Sequence, residues 1–180
     1  MTEGDNIILI GPMGAGKTTI GRQLAQLLHK TFVDADHEIE ARTGVSIPTI
    51  FDIEGEAGFR QREAAVIDEL TLGRDIVLAT GGGVVLLEAN RQRLKSRGVV
   101  VYLRAELDTL FERTRRDRNR PLLQTADPRG KIAELLKSRE PIYLALADIV
   151  VDTGQRPPSS VARDIVTRLK QREGHEHPAR

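Results

Sequence analysis

Eight residues near the start of the chain, Gly11-Pro-Met-Gly-Ala-Gly-Lys-Thr18, constrain the fold more than any other segment. They follow a short apolar run, Asn6-Ile-Ile-Leu-Ile10, that suits a buried strand. Behind them, residues 16–28 carry Ile20, Leu24, Leu27 and Leu28 at helical spacing. Strand, glycine-rich loop and helix in that order leave few architectures open. Glycines let the backbone curl so that successive N–H groups point inward at one anion. Gly11, Gly16, Lys17 and Thr18 hold the fixed positions of the pattern G-x-x-x-x-G-K-S/T. In that pattern the lysine reaches β- and γ-phosphates, and the hydroxyl joins the shell of a magnesium ion. The following helix adds the positive end of its dipole. A chance glycine-rich turn is the plain alternative, and the flanking strand and helix argue against it. The segment predicts nucleotide binding by Gly14, Ala15, Gly16, Lys17, Thr18 and Thr19.

Helical and strand patterns alternate along the rest of the chain. Strands are expected at Thr31–Asp34, Ile76–Ala79, Val99–Leu103 and Ile149–Asp152. Between them lie helical stretches at 36–42, about 56–72, 86–96, 106–115, 128–139 and 159–172. Gly44 is expected to stop the first of these, and Ser46-Ile-Pro48 to start the next. Pro141 disfavours continuation of the helix that starts at Pro128, so Arg139 is expected at a helix end. Such alternation predicts a mostly parallel sheet with helices on both faces. Ligands in these sheets sit at the carboxyl ends of the strands. The loop, Asp34 and Gly81–Gly83 all follow strand ends and should share one cleft.

Composition narrows the function classes. The 180 residues suit a single domain, expected over 1–172, with a flexible tail at 173–180. A net charge of +1 and 3% aromatic content give no footing for nucleic acid. The chain has no cysteine, hence no disulfide and no cysteine-held metal. No apolar run of about 18 residues is present to span a membrane. The start, Met1-Thr-Glu-Gly-Asp5, is polar and unlike a secretory signal, so a cytoplasmic location is expected.

A nucleotide-binding loop of this kind draws a magnesium-associated carboxylate from another strand. Asp34 is the better candidate and Asp36 stands beside it, although either suits helix capping. Asp152 also ends an apolar strand, but Gly154 and Pro157-Pro158 favour a turn role there. Arg113, Arg115, Arg116, Arg118 and Arg120 crowd one short segment with Asp117 as its only acid. So much like charge predicts either a solvated loop or a lid, at about 115–127, that is mobile until phosphates arrive. Arg60 and Glu63 lie three apart on a helix and can pair, though the spacing alone also fits a surface ion pair.

Together these segments resemble shikimate kinase over about residues 5–170. The resemblance rests on the loop at 11–18, Asp34-Ala-Asp36, Gly55-Glu-Ala-Gly-Phe-Arg-Gln-Arg-Glu63, Thr80-Gly-Gly-Gly83, Arg120-Pro-Leu-Leu123 and Arg139-Glu-Pro-Ile-Tyr143. It implies a nucleoside-monophosphate-kinase-like α/β fold, a five-stranded parallel sheet in order 2-3-1-4-5. It implies phosphoryl transfer from ATP to the 3-hydroxyl of shikimate, a single magnesium ion, and a monomer. By position, Asp36, Arg60, Gly81, Gly82 and Arg139 would hold the acceptor in a subregion that includes residues 34–62. Asp34 would face the acceptor hydroxyl and, with Thr18, the magnesium. Lys17 and Arg120 would act on the transferring phosphate, and Glu63 would orient Arg60. Arg113, Arg156 and Pro158 would flank adenine. Two departures are visible. Ala145 replaces a glutamate that is frequent two residues after the tyrosine, and Ala35 replaces serine or threonine between the aspartates.

The residue chemistry agrees independently. Arginine offers a planar fork that matches a carboxylate. Asp36 can accept hydrogen bonds from ring hydroxyls, and the glycine run lets bare backbone approach. A nucleoside-monophosphate acceptor would bring anion against the aspartates at 34 and 36. Gluconate, another hydroxy acid, is separated only by the Phe59-Arg60-x-x-Glu63 and Arg120-Pro-Leu-Leu123 combinations. A nucleotide-binding module without turnover would have no need of Lys17, Thr18, Asp34 and Arg120 together.

Overall fold

The computed structural model describes residues 5–115, 117 and 121–176. Five strands, β1 (Ile7–Ile10), β2 (Thr31–Asp34), β3 (Ile76–Ala79), β4 (Val99–Arg104) and β5 (Ile149–Asp152), form one sheet. The order is β2-β3-β1-β4-β5, and every pairing is parallel. Seven helices connect and cover it among the described residues. They are α1 (Lys17–Leu28), α2 (Ala35–Thr43), α3 (Ile47–Thr71), α4 (Glu88–Arg97), α5 (Leu107–Thr114), α6 (Pro128–Leu146) and α7 (Pro158–Glu176). Short 3-10 turns occupy Val84–Leu86 and Pro121–Leu123.

The period of two along each strand sorts the core into two layers. Ile7 and Leu9 of β1 join Val77, Val101 and Leu103 on one face, under α1 and α7. Ile8 and Ile10 join Leu78, Val100 and Tyr102 on the other, under α3, α4 and α6. All four β1 side chains are fully buried, which is why this strand reads as an unbroken apolar run. Each such side chain contributes about 1.5–3 kcal/mol by leaving water. A smaller cluster, Ile39, Ile50, Phe59 and Val66, ties α2 to α3 beside the sheet. No helix among the described residues is long and apolar enough to cross a membrane.

Two local readings change. The break expected at Pro141 does not occur, and α6 runs through it to Leu146. A proline inside a helix costs about 3 kcal/mol. The offset comes from the turn beyond it. Tyr143 is fully buried, its ring centroid lies 5.0 Å from that of Tyr102, and Leu146 is buried too. Arg139 is therefore inside the helix and 5% exposed, not displayed at an end. The two helices expected from Ser46 and from near Glu56 are both present, parted inside α3 by a kink at the non-helical Gly55, φ 73° and ψ −179°. Finally, residues 173–176, expected to fray, continue α7.

Candidate active site

The loop between β1 and α1 is built for an anion. Gly16 sits ahead of α1 in the left-handed region, φ 95°, where a side chain would be strained. No side chain caps α1, and its first turn holds no acid. By contrast, Asp34, Ser46 and Asp127 each cap the helix that follows them. The first N–H groups of α1 thus face the loop cavity. Lys17 turns its ammonium over the loop, donating to the carbonyls of Gly11 and, at 3.0 Å, Pro12. Gly14, Gly16, Lys17, Thr18, Thr19, Asp34 and Asp36 all line this cavity, while Ala15 is buried beneath it.

Thr18 and Asp34 meet although they come from different elements. The Thr18 hydroxyl donates to Asp34 Oδ2 at 2.8 Å. Asp34 ends β2, and its Oδ1 accepts from the His37 N–H at 3.1 Å to cap α2. Asp34 thus caps α2 with one oxygen and turns the other to the Thr18 hydroxyl beside the loop. Two hard oxygens side by side at a phosphate cavity suit magnesium. That ion keeps waters and is held by one or two carboxylates plus substrate phosphates. No group of three or more His, Cys, Asp or Glu side chains is gathered for a metal among the described residues.

An adjoining pocket takes its polar wall from Asp36, Arg60, Glu63 and Arg139 and its floor from Gly81–Gly83. Met13, Ile47, Phe51, Phe59, Pro121 and Leu122 complete it. Arg60 donates from Nη1 to Glu63 Oε1 at 3.0 Å and from Nη2 to Glu56 Oε1 at 3.4 Å. The Arg60–Glu63 pair is buried, with the glutamate side chain 1% exposed, so it is no surface ion pair. Burial pushes the Glu63 carboxyl above its ordinary range, against the pull of Arg60 and Arg139. Tyr143 donates to the Gly82 carbonyl at 2.5 Å and so ties α6 to the glycine run. Burial raises the Tyr143 hydroxyl to about 12, with Arg139 opposing, so it stays a donor.

The expected residues largely converge. Gly81, Gly82, Asp36, Arg60 and Arg139 share the second pocket; Gly14, Gly16, Lys17, Thr18, Thr19 and Asp34 share the first. Arg113 stands at the outer side of the loop, bonded to the carbonyls of Gly14 and Gly154, each at 3.0 Å. Arg156 turns instead toward α7, onto Asp164 at 3.1 Å and Ser160, and Pro158 opens that helix. Asp152 ends β5 exposed, in neither pocket. Arg120, with Arg116 and Arg118, lies outside the described residues. Part of the apolar wall of the second pocket, Met13, Ile47 and Phe51, escaped the sequence reading as acceptor lining. Phe51 and Ile47 carry the same signal as core residues, so only the fold separates them.

A parallel sheet with this loop, lysine, hydroxyl and carboxylate at its carboxyl edge defines a P-loop phosphotransferase of the nucleoside-monophosphate-kinase-like class. A second pocket with two arginines beside it fits a small anionic acceptor. The chain belongs to the shikimate kinase family, whose family model matches residues 13–170. It is 58% identical to shikimate kinase of Bordetella pertussis over 91% of this chain and 78% of that one. It is likewise 58% identical to shikimate kinase of Thiobacillus denitrificans, covering 94% and 92% of the two chains. The structure of Acinetobacter baumannii shikimate kinase in complex with shikimate superposes with a TM-score of 0.92. The identity there is 49%, over 93% of this chain and 94% of that one.

Proposed function

We propose that the chain transfers the terminal phosphoryl group of ATP to the 3-hydroxyl of shikimate, giving shikimate 3-phosphate and ADP, a step of aromatic amino-acid biosynthesis. The observation that carries this is the adjacency of the two pockets, with Asp36 and Met13 lining both. Lys17 and the α1 N-terminus neutralise charge on the β- and γ-phosphates. Arg60 and Arg139 grip the acceptor carboxylate, each with a planar fork. Asp36 accepts from ring hydroxyls, and the backbone of Gly81 and Gly82 meets the ring. Asp34 orients the attacking hydroxyl. Thr18 and Asp34 would hold a magnesium ion, which would supply charge neutralisation at the phosphates. Arg113 and Pro158 flank adenine, with Arg156 beside them held on Asp164, and Arg120 contributes its charge to the transferring group. Proton removal comes late in a largely dissociative transfer, so Asp34 works chiefly by orientation.

The kinase domain covers residues 1–172, with the acceptor subregion at about 34–62 and the lid at about 115–127. The working unit is a monomer. A cytoplasmic location fits its intracellular co-substrate, ATP. A coupled assay with ATP and shikimate, beside gluconate and AMP, tests the reading. Turnover with shikimate alone is expected. Turnover with gluconate or AMP but not shikimate would refute it.

A further inference from the structure

None of the three glycines in Gly81–Gly83 has the positive φ that would demand glycine. Gly83 is the clearest case. Its backbone, φ −97° and ψ 6°, is open to any L residue. Conformational freedom does not explain it, and a neighbour does. A methyl group built on Gly83 would lie 2.5 Å from Cζ and 2.6 Å from Nη1 of Arg60, and closer still to Nη2. Real contacts of that length do not exist, so the guanidinium fills the space a side chain would need.

Arg60 is held there from the other sides. Glu63 takes Nη1 at 3.0 Å, and Glu56 takes Nη2 at 3.4 Å. The guanidinium carbon stands 5.1 Å from the Phe59 ring centroid. The side chain is 13% exposed. Gly83 is thus one wall of a slot that fixes the plane of the Arg60 fork.

We infer that Gly83 is a positioning residue for the acceptor: its bare α-carbon sets where the Arg60 guanidinium lies and so how the fork meets the acceptor carboxylate. The inference rests on the reading of Arg60 given under Proposed function. Gly98 makes the contrast. Its φ of −174° is also open to any residue, but a methyl group there would lie 2.8 Å from the Asn6 carbonyl and 2.8 Å from the Ile8 side chain. Alanine at Gly98 strikes backbone and core, and stability suffers. Alanine at Gly83 strikes the far end of one flexible side chain. The fork moves, the fold holds, and the loss falls on acceptor geometry. A misplacement of about 1 Å can cost about a hundredfold in rate.

The test is a double-mutant cycle of Gly83→Ala and Arg60→Lys, read by steady-state kinetics and thermal unfolding. Gly83→Ala is expected to raise KM for shikimate about tenfold or more, to leave KM for ATP within about twofold, and to unfold within about 4 °C of the parent. In the Arg60→Lys background the same substitution is expected to change shikimate KM less than about twofold, because the planar group it displaces has gone. An unchanged shikimate KM in Gly83→Ala, or its full effect repeated in the Arg60→Lys background, overturns the inference alone. So does failure of Gly83→Ala to fold. An unchanged shikimate KM in Arg60→Lys overturns the acceptor reading of Arg60 and takes the inference with it.

Discussion

The Thr18 hydroxyl and the Asp34 carboxylate are joined by a hydrogen bond of 2.8 Å, while the other oxygen of Asp34 caps α2 through the His37 N–H. On the proposed reading, one side chain thus serves the chemistry with one oxygen and the fold with the other. Asp34→Asn separates the two roles. Asparagine caps a helix about as well as aspartate, so thermal stability should move little. The charge is lost, so kcat should fall by about two orders of magnitude with a smaller change in ATP affinity. Steady-state kinetics beside isothermal titration checks this. An unchanged kcat would place the working acid elsewhere.

Lys17→Ala should lower turnover by about a hundredfold to a thousandfold while the fold survives. The Lys17 ammonium contacts carbonyls of the loop, so circular dichroism should match the parent. Parent-like turnover with a verified Mg·ATP complex would sink the role given to the loop.

Arg139→Lys keeps the charge and loses the fork. KM for shikimate should rise tenfold or more, on the order of one lost charge-assisted hydrogen bond, with KM for ATP nearly constant. A change confined to the ATP constant would move Arg139 to the nucleotide side.

Glu63 gives stability a pH dependence whose sign is fixed. Burial raises its folded pKa above the ordinary value of 4.5. Between those two values the folded state holds more protons than the unfolded state, so stability falls as pH rises through that window. Glu63→Gln has no such proton to lose. Its unfolding free energy minus that of the parent should therefore grow from about pH 4.5 upward and level off once the parent carboxyl is ionised in both states. Urea titrations across that range check it. A difference that shrinks with rising pH would reverse the assignment.

Arg120→Ala should lower kcat and leave shikimate affinity nearly intact, since its proposed contact is the transferring phosphate. Binding titrations with shikimate decide. Loss of shikimate binding would assign Arg120 to the acceptor pocket.

Local signals carried most of this fold. The apolar run of β1, the loop and the spacing of α1 were legible because each is set within a few residues. So were the stop at Gly44, in the left-handed region, and the cap at Ser46. Pro141 misled because its penalty is local and its offset is not. Tyr143 gains Tyr102 and the Gly82 carbonyl from distant parts of the chain. Arg60 and Glu63 were legible as a pair but not as a buried one, since helical spacing says nothing of depth. Arg156 was placed beside adenine by resemblance, and its guanidinium turns to Asp164 because α7 offers a carboxylate within reach.

Met13, Asp36 and Ile47 line both the phosphate cavity and the pocket beside it. A single layer of side chains therefore parts the two, and a tethered molecule has only that partition to cross. A compound joining a polyphosphate to a carboxylated ring through a short linker could occupy both at once. Its two halves would then bind as one event, and the enthalpy and entropy of docking the second half would no longer include the search for it.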